Sequence, residues 1–136
     1  MIEGCRFHHL GYTVDDIKTT ASQFAMWGYQ AGEVIFDDDL TVDLCYLTKA
    51  GCPTIELVHQ RNPSSLEMSL LRKTGVMPYH VGYETDNMET ACAELVALGY
   101  EQLFNPVPVK ALNSIRICYF HHPTIGYVEL LEPSVI

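Results

Sequence analysis

The chain has 136 residues, 48% apolar and 18% charged, with a formal net charge of −9, the profile of one globular domain large enough to bury a core. The acidic balance argues against a nucleic-acid partner, which needs a basic face. No apolar run approaches ~18 residues and no basic-then-apolar leader opens the chain, so neither a membrane span nor a signal peptide is expected.

Five cysteines (Cys5, Cys45, Cys52, Cys92, Cys118), odd in number and without a close pair, fit a reducing, cytoplasmic setting in which thiols serve as small apolar residues. Residues 7–14 alternate, with Leu10, Tyr12 and Val14 on one face and His9, Gly11 and Thr13 on the other, which predicts a strand. Asp15 or Asp16 can cap a helix whose apolar stripe is Ile17, Ala21 and Phe24 and which Gly28 stops. Strands are expected near 33–37, 40–48 and 54–59, the last two joined by the turn at 49–53. Asn62-Pro63-Ser64-Ser65 reads as a helix start, with Ser64 and Glu67 as a capping box; this linker helix, about 63–74, ends before Gly75. Thereafter the pattern returns: a strand at 79–87, a helix with the stripe Met88, Cys92 and Leu95 stopped by Gly99, and strands near 102–104, 115–121 and 126–132.

The return is a duplication. An offset of 71 lays His80 on His9, Gly82 on Gly11, Tyr83 on Tyr12, Asp86 on Asp15, Thr90 on Thr19, Gly99 on Gly28 and Tyr100 on Tyr29 without a gap. The chain therefore reads as one domain, 1–136, made of two repeats, about 5–60 and 77–133, each β-α-β-β-β. The fold class expected is α+β, two βαβββ modules forming a cupped, mostly antiparallel sheet around a metal-binding cleft.

The duplication also selects the chemistry. Thr54-Ile55-Glu56-Leu57-Val58 matches Tyr127-Val128-Glu129-Leu130-Leu131 at an offset of 73. Each copy thus carries a His on its first strand and a Glu interrupting its last apolar strand, where a buried charge costs several kcal/mol unless paired or metal-bound. Strand parity turns His9, Glu56, His80 and Glu129 away from the helices. Two imidazoles and two carboxylates with room for water suit one divalent transition ion, Co, Ni, Zn or Mn, better than a closed structural zinc site. Gly11 and Gly82 keep space beside the ion. His8 falls on the wrong face, and His59, His121 and His122 have no symmetric partners, so these four are not taken as ligands.

These features resemble the vicinal-oxygen-chelate superfamily, which includes glyoxalase I, bleomycin-resistance proteins, extradiol dioxygenases and methylmalonyl-CoA epimerase. The likeness reaches furthest toward the epimerases, in His-Leu-Gly-Tyr-Thr-Val at 9–14, Tyr-His-Val-Gly-Tyr-Glu at 79–84, the linker helix, and His-Pro…Val-Glu-Leu at 122–130. The family's ligand positions fall on His9, Glu56, His80 and Glu129. Epimerases often carry Gln where Glu56 stands, whereas glyoxalase I carries Glu there.

The resemblance implies metal-assisted proton transfer at a carbon next to a carbonyl. It makes Glu129 one base, and it assigns the second acid to Asp43 in Val42-Asp43-Leu44, a position that strand parity allows to face inward. It implies a small-molecule substrate, an acyl-CoA thioester or another α-substituted carbonyl compound, and a homodimer. A glyoxalase I-like lyase and a metal-free ligand-binding module remain as alternatives.

Overall fold

The alternating segment at the front of the chain forms β1 (Cys5–Thr13), and the stripe behind it forms α1 (Ile17–Ala25), in the computed structural model, which describes residues 2–133. The remaining elements are β2 (Gln30–Ala31), β3 (Ile35–Asp37), β4 (Val42–Thr48), β5 (Ile55–Gln60), α2 (Leu66–Thr74), β6 (Met77–Thr85), α3 (Met88–Ala97), β7 (Glu101–Gln102), β8 (Val107–Val109), β9 (Ile115–His122) and β10 (Gly126–Glu132). A single 3₁₀ turn, Lys110–Leu112, separates β8 from β9. The fold is α+β, two βαβββ modules. Among the described residues no helix is long and apolar enough to cross a membrane.

By its contacts the chain divides into two units, residues 9–79 and residues 1–8 with 80–136. In the first, β4 pairs antiparallel with β2, β3 and β5, and β5 pairs parallel with β1. One face of this sheet packs on α1. Its core is Val14, Ile17, Cys45, Leu47, Ile55 and Leu57, with Phe24 of the helix against it. The second unit repeats the arrangement: β9 pairs antiparallel with β7, β8 and β10, and β10 pairs parallel with β6. Cys118, Phe120 and Leu130 of its sheet pack on Met88, Ala91, Cys92 and Leu95 of α3. Cys45 and Cys118 occupy the same place in the two cores, and burial pushes the Cys118 thiol up to about 12, so it acts as a small apolar residue.

The helix ends follow from local chemistry. Asn87 caps α3 by accepting the Thr90 N–H through its side chain, 3.0 Å. Gly28 and Gly99, one repeat apart, sit at φ +91° and +94°, a left-handed conformation that favours glycine where each chain leaves its helix.

Several boundaries are corrected. The strand expected near 33–37 is β3, preceded by the short unexpected β2, and that near 102–104 is β7, which ends at Gln102 and is followed by the unexpected β8. Gly32 weakens the chain between β2 and β3, and Pro106 has no N–H to carry β7 on into β8. The two breaks are alike: the Gly32 N–H still reaches the Tyr46 carbonyl and the Leu103 N–H the Tyr119 carbonyl, each at 2.9 Å. In α2 the cap is Ser65, whose hydroxyl accepts the Met68 N–H at 3.2 Å, one residue later than Ser64. Glu67, expected to close a capping box, instead accepts the Tyr79 hydroxyl at 2.8 Å in a buried setting.

Leu57 is fully buried beneath α1. Leu57→Ala is expected to lower the unfolding free energy by about 2–5 kcal/mol in denaturant titration; a loss below about 1 kcal/mol would remove Leu57 from the core assigned to it.

Candidate functional site

Register decides what lies on the face opposite the helices. In the first unit Leu10 and Tyr12 pack toward α1, which turns His9, Gly11 and Thr13 to the other side. Ile55 and Leu57 lie in the same core, which turns Glu56 away from it. The parallel ladder sets Gly11 beside Glu56, and the antiparallel ladder sets Tyr46 opposite Glu56. With no side chain on Gly11, His9 Nε2 comes within 3.3 Å of Glu56 Oε1. His9 is 0% and Glu56 4% exposed.

The second unit builds the same pair from equivalent residues. Gly82 lies beside Glu129 in the parallel ladder and Tyr119 opposite it in the antiparallel one. His80 Nε2 is 3.5 Å from Glu129 Oε1, with His80 2% and Glu129 4% exposed. Each unit therefore holds one buried imidazole–carboxylate pair, and both pairs sit among apolar residues of their own strands.

This donor set fits a divalent metal. Two ligand atoms each ~2.1 Å from one ion and adjacent in its coordination shell stand about 3.0–3.4 Å apart; the His9–Glu56 separation, 3.3 Å, falls in that range and the His80–Glu129 separation, 3.5 Å, lies just beyond it. Each pair supplies one imidazole nitrogen and one carboxylate oxygen, donors that suit a divalent transition ion, and all four side chains are buried.

Asp43 does not join them. It lies opposite His59, and its parity is that of Cys45 and Leu47, so it shares the face that packs on α1. There its carboxylate is bound by Arg61, which also reaches Asp38 Oδ1 at 2.9 Å. The repeat explains the role: an offset of 73 lays Arg116 on Asp43, and Arg116 is likewise ion-paired, with Glu132 at 2.6 Å and Glu89 at 2.8 Å. Both positions hold the helix-side surface together, with the charges reversed. The inward parity expected for Asp43 fails because its neighbours Val42 and Leu44, not Asp43 itself, face the His–Glu side.

Sequence reasoning passed over Tyr46 and Tyr119. The offset of 73 that relates Glu56 to Glu129 also relates these two, within Cys45-Tyr46-Leu47 and Cys118-Tyr119-Phe120. The Tyr46 ring stands edge-on to His9, with centroids 6.1 Å apart, and the Tyr119 ring tilts over His80 at 5.2 Å. The signal was legible, had the carboxylate offset been carried one strand upstream. Of the histidines set aside, His59 Nδ1 lies 3.2 Å from the Val14 carbonyl and His122 contacts Thr124.

Comparison with known proteins places this arrangement. A family model described as the Glyoxalase/Bleomycin resistance protein/Dioxygenase superfamily matches residues 8–119. No curated protein matches the sequence. Among solved structures, the chain is similar to methylmalonyl-CoA epimerase from Mycobacterium tuberculosis, with a TM-score of 0.79 and 20% identity over 95% of this chain and 88% of that one. It is similar to a hypothetical protein from Bacillus halodurans C-125, with a TM-score of 0.81 and 18% identity over 98% of both chains. It is also similar to a variant of Streptomyces coelicolor methylmalonyl-CoA epimerase in complex with 2-nitronate-propionyl-CoA, with a TM-score of 0.78 and 19% identity over 96% of this chain and 98% of that one. At these identities the likenesses show a shared fold.

Protein purified without chelator is expected to carry about one divalent ion per chain by elemental analysis, absent from His9→Ala/His80→Ala. A metal-free wild type that takes up none of Co, Ni, Mn or Zn would overturn the site and leave a ligand-sequestering module. Asp43→Asn is expected to keep the metal and to cost about 1–3 kcal/mol of stability, since it removes one partner of a half-buried ion pair and leaves Arg61 short of a charge; loss of metal from that variant would return Asp43 to the site.

Proposed function

This chain belongs to the Glyoxalase/Bleomycin resistance protein/Dioxygenase superfamily, and from that premise we propose that it is a metal-dependent isomerase that moves a proton on the carbon next to a carbonyl. The finer reading is an epimerase of the methylmalonyl-CoA kind. The observation that carries it is the twice-built pair of a buried imidazole and a buried carboxylate, His9 with Glu56 and His80 with Glu129. In this reading the four side chains hold one divalent ion, Co, Ni, Zn or Mn. When bound, such an ion supplies positive charge for the substrate's carbonyl oxygen and so acidifies the adjacent C–H.

The chain's own groups then handle the proton. The Glu129 carboxylate has two oxygens, one to meet the ion and one to accept or return a proton. Glu129 serves one face of the α-carbon. Asp43, the second acid that the resemblance implies, is held by Arg61 on the helix side of its sheet, and Glu56, where epimerases often carry Gln, counts as a ligand and not as the second acid. Burial of Glu56 and Glu129 in apolar strands keeps bulk water from the carbanionic centre. The substrate class is an α-substituted acyl thioester, a reading supported by the coenzyme A ligand of the Streptomyces neighbour. A homodimer belongs to the same reading, since β2, β3, β7 and β8 are short strands at the edges of their sheets; a monomeric mass by light scattering would remove it.

A second reading, a glyoxalase-type lyase, is favoured by the carboxylate at 56, the residue type that glyoxalase I carries there. Both readings share the proton transfer and differ in substrate.

The test is solvent deuterium wash-in at the α-carbon of methylmalonyl-CoA by metal-loaded protein, followed by mass spectrometry. Wash-in is expected, falling at least about 10²-fold in Glu129→Gln. Metal-loaded protein that exchanges no α-proton of an acyl thioester but converts a glutathione hemithioacetal would replace the epimerase with the lyase.

A further inference from the structure

We propose that the second unit carries a separate binding site on the helix side of its sheet, a cavity that takes one small uncharged aromatic molecule of about the size of a single ring. Val128 and Leu130 line it, and side-chain alternation puts them on the face of β10 opposite Glu129. The site therefore stands apart from the proposed metal site.

The duplication shows what fits that space. In the first unit the ring of Phe24 on α1 stands edge-on to two tyrosines, with centroids 5.3 Å from Tyr12 and 5.6 Å from Tyr29 and interplanar angles of 86° and 80°. Edge-to-face is an arrangement that aromatic quadrupoles favour. The offset of 71 keeps both tyrosines in the second unit, as Tyr83 and Tyr100, and puts Leu95 in place of the ring that met them. There a cavity of about 180 Å³ opens, with Tyr83, Tyr100, Leu95 and Cys5 in its lining. It lies wholly within residues 1–8 and 80–136.

The two tyrosines are held away from the gap by neighbours of their own. Phe7 stands edge-on to Tyr83 at 6.4 Å, and His122 tilts against Tyr100 at 4.9 Å. Leu95, Val128 and Leu130 are between 2% and 4% exposed, whereas Tyr83, Tyr100 and Cys5 are half-buried and Ile125 is exposed, so the cavity runs from the core to the surface.

The lining chooses the ligand. Among the described residues none that lines the cavity is charged, so an ionised ligand would lose its hydration without gaining a partner. Two phenol hydroxyls and one thiol are its only polar side-chain groups, which gives water little to bond. An apolar cavity of about 150 Å³ is enough to bind benzene. A ring entering this one meets the same pair of tyrosines that Phe24 meets in the first unit. An alkane of equal size would gain the burial without the ring contacts.

The experiment titrates the protein with fluorobenzene, followed by fluorine NMR, and competes it with cyclohexane. Saturable binding of about one fluorobenzene per chain is expected, with cyclohexane weaker by about tenfold or more, the fold-change that two edge-to-face ring pairs supply. Leu95→Phe, which gives the second unit the ring of the first, is expected to abolish the binding. In the wild type, fluorobenzene should slow alkylation of Cys5 by iodoacetamide, read by peptide mass spectrometry, and leave the exposed Cys52 unaffected. That readout needs no variant and decides the matter if Leu95→Phe does not fold. No saturable binding, equal binding in Leu95→Phe, or no protection of Cys5 would overturn the inference, and equal affinity for cyclohexane would overturn the aromatic class. None of these readouts depends on metal content, so failure of the metal site leaves the cavity's test intact.

Discussion

A carboxylate fixed in the middle of a buried apolar strand is the constraint on which this structure turns. Glu56 is flanked by Ile55, Leu57 and Val58, and Glu129 by Val128, Leu130 and Leu131, all of them buried. Desolvating such a charge costs several kcal/mol, and the cost is met only where a partner waits on the same face. Because side chains alternate, a slip of one residue in β5 would drive Glu56 into the core beneath α1 and push Leu57 out to the His9 side. The register that buries the aliphatic residues is thus the register that delivers the carboxylate to His9. Stability and chemistry are set by one choice of alignment, made once in each module.

The helix-packed faces show what the fold does with its other charges. Asp43 with Arg61, and Arg116 with Glu89 and Glu132, stand at equivalent positions with reversed sign. These pairs lie where the sheet meets solvent, so their Coulombic gain is screened and modest. Glu132 has a further task, since its other oxygen accepts the Met88 N–H at 2.7 Å and so satisfies the start of α3. Reversal of sign between the copies is tolerated because an ion pair needs complementarity, not a particular charge at a particular residue.

Much of this was legible in the chain, for a physical reason. Amphipathic stripes and alternating strands survive as period, so α1, α3, β1, β6 and the strands carrying Glu56 and Glu129 could be read from the residues. The duplication then picked out the two His–Glu pairs, which neither copy would have distinguished from ordinary core residues. Asp43 was misread because strand parity within one segment does not say which parity is inward; only the ladder, with Tyr46 opposite Glu56, decides that. The breaks between β2 and β3 and between β7 and β8 come from single residues, Gly32 and Pro106, whose effect depends on which neighbour each strand must follow. Ser65 is the cap and Ser64 is not because residues 62–65 form a turn ahead of the helix, with the Asn62 side chain accepting the Ser64 N–H at 3.0 Å and the Asn62 carbonyl accepting the Ser65 N–H at 3.1 Å.

The two copies have not drifted evenly. Where they face their helices, Leu10 answers Val81, Ile55 answers Val128 and Leu47 answers Phe120, substitutions that a core absorbs by repacking at similar total volume. On the opposite face, around each buried pair, His9 answers His80, Gly11 answers Gly82, Tyr46 answers Tyr119 and Glu56 answers Glu129, all identical. Packing alone gives no reason to keep the pair, because a buried His–Glu pair is a poorer core than the leucines that could replace it. Identity also survives in the helix-side cores, at Tyr12 and Tyr83, Cys45 and Cys118, and Leu57 and Leu130, but around each pair it falls on groups whose value lies in direction and chemistry: a donor nitrogen, a donor oxygen, the absence of a side chain between them, and a ring beside them. Hydrophobic burial fixes the frame of each module, and the residues held identical on its far side are the ones a ligand would read.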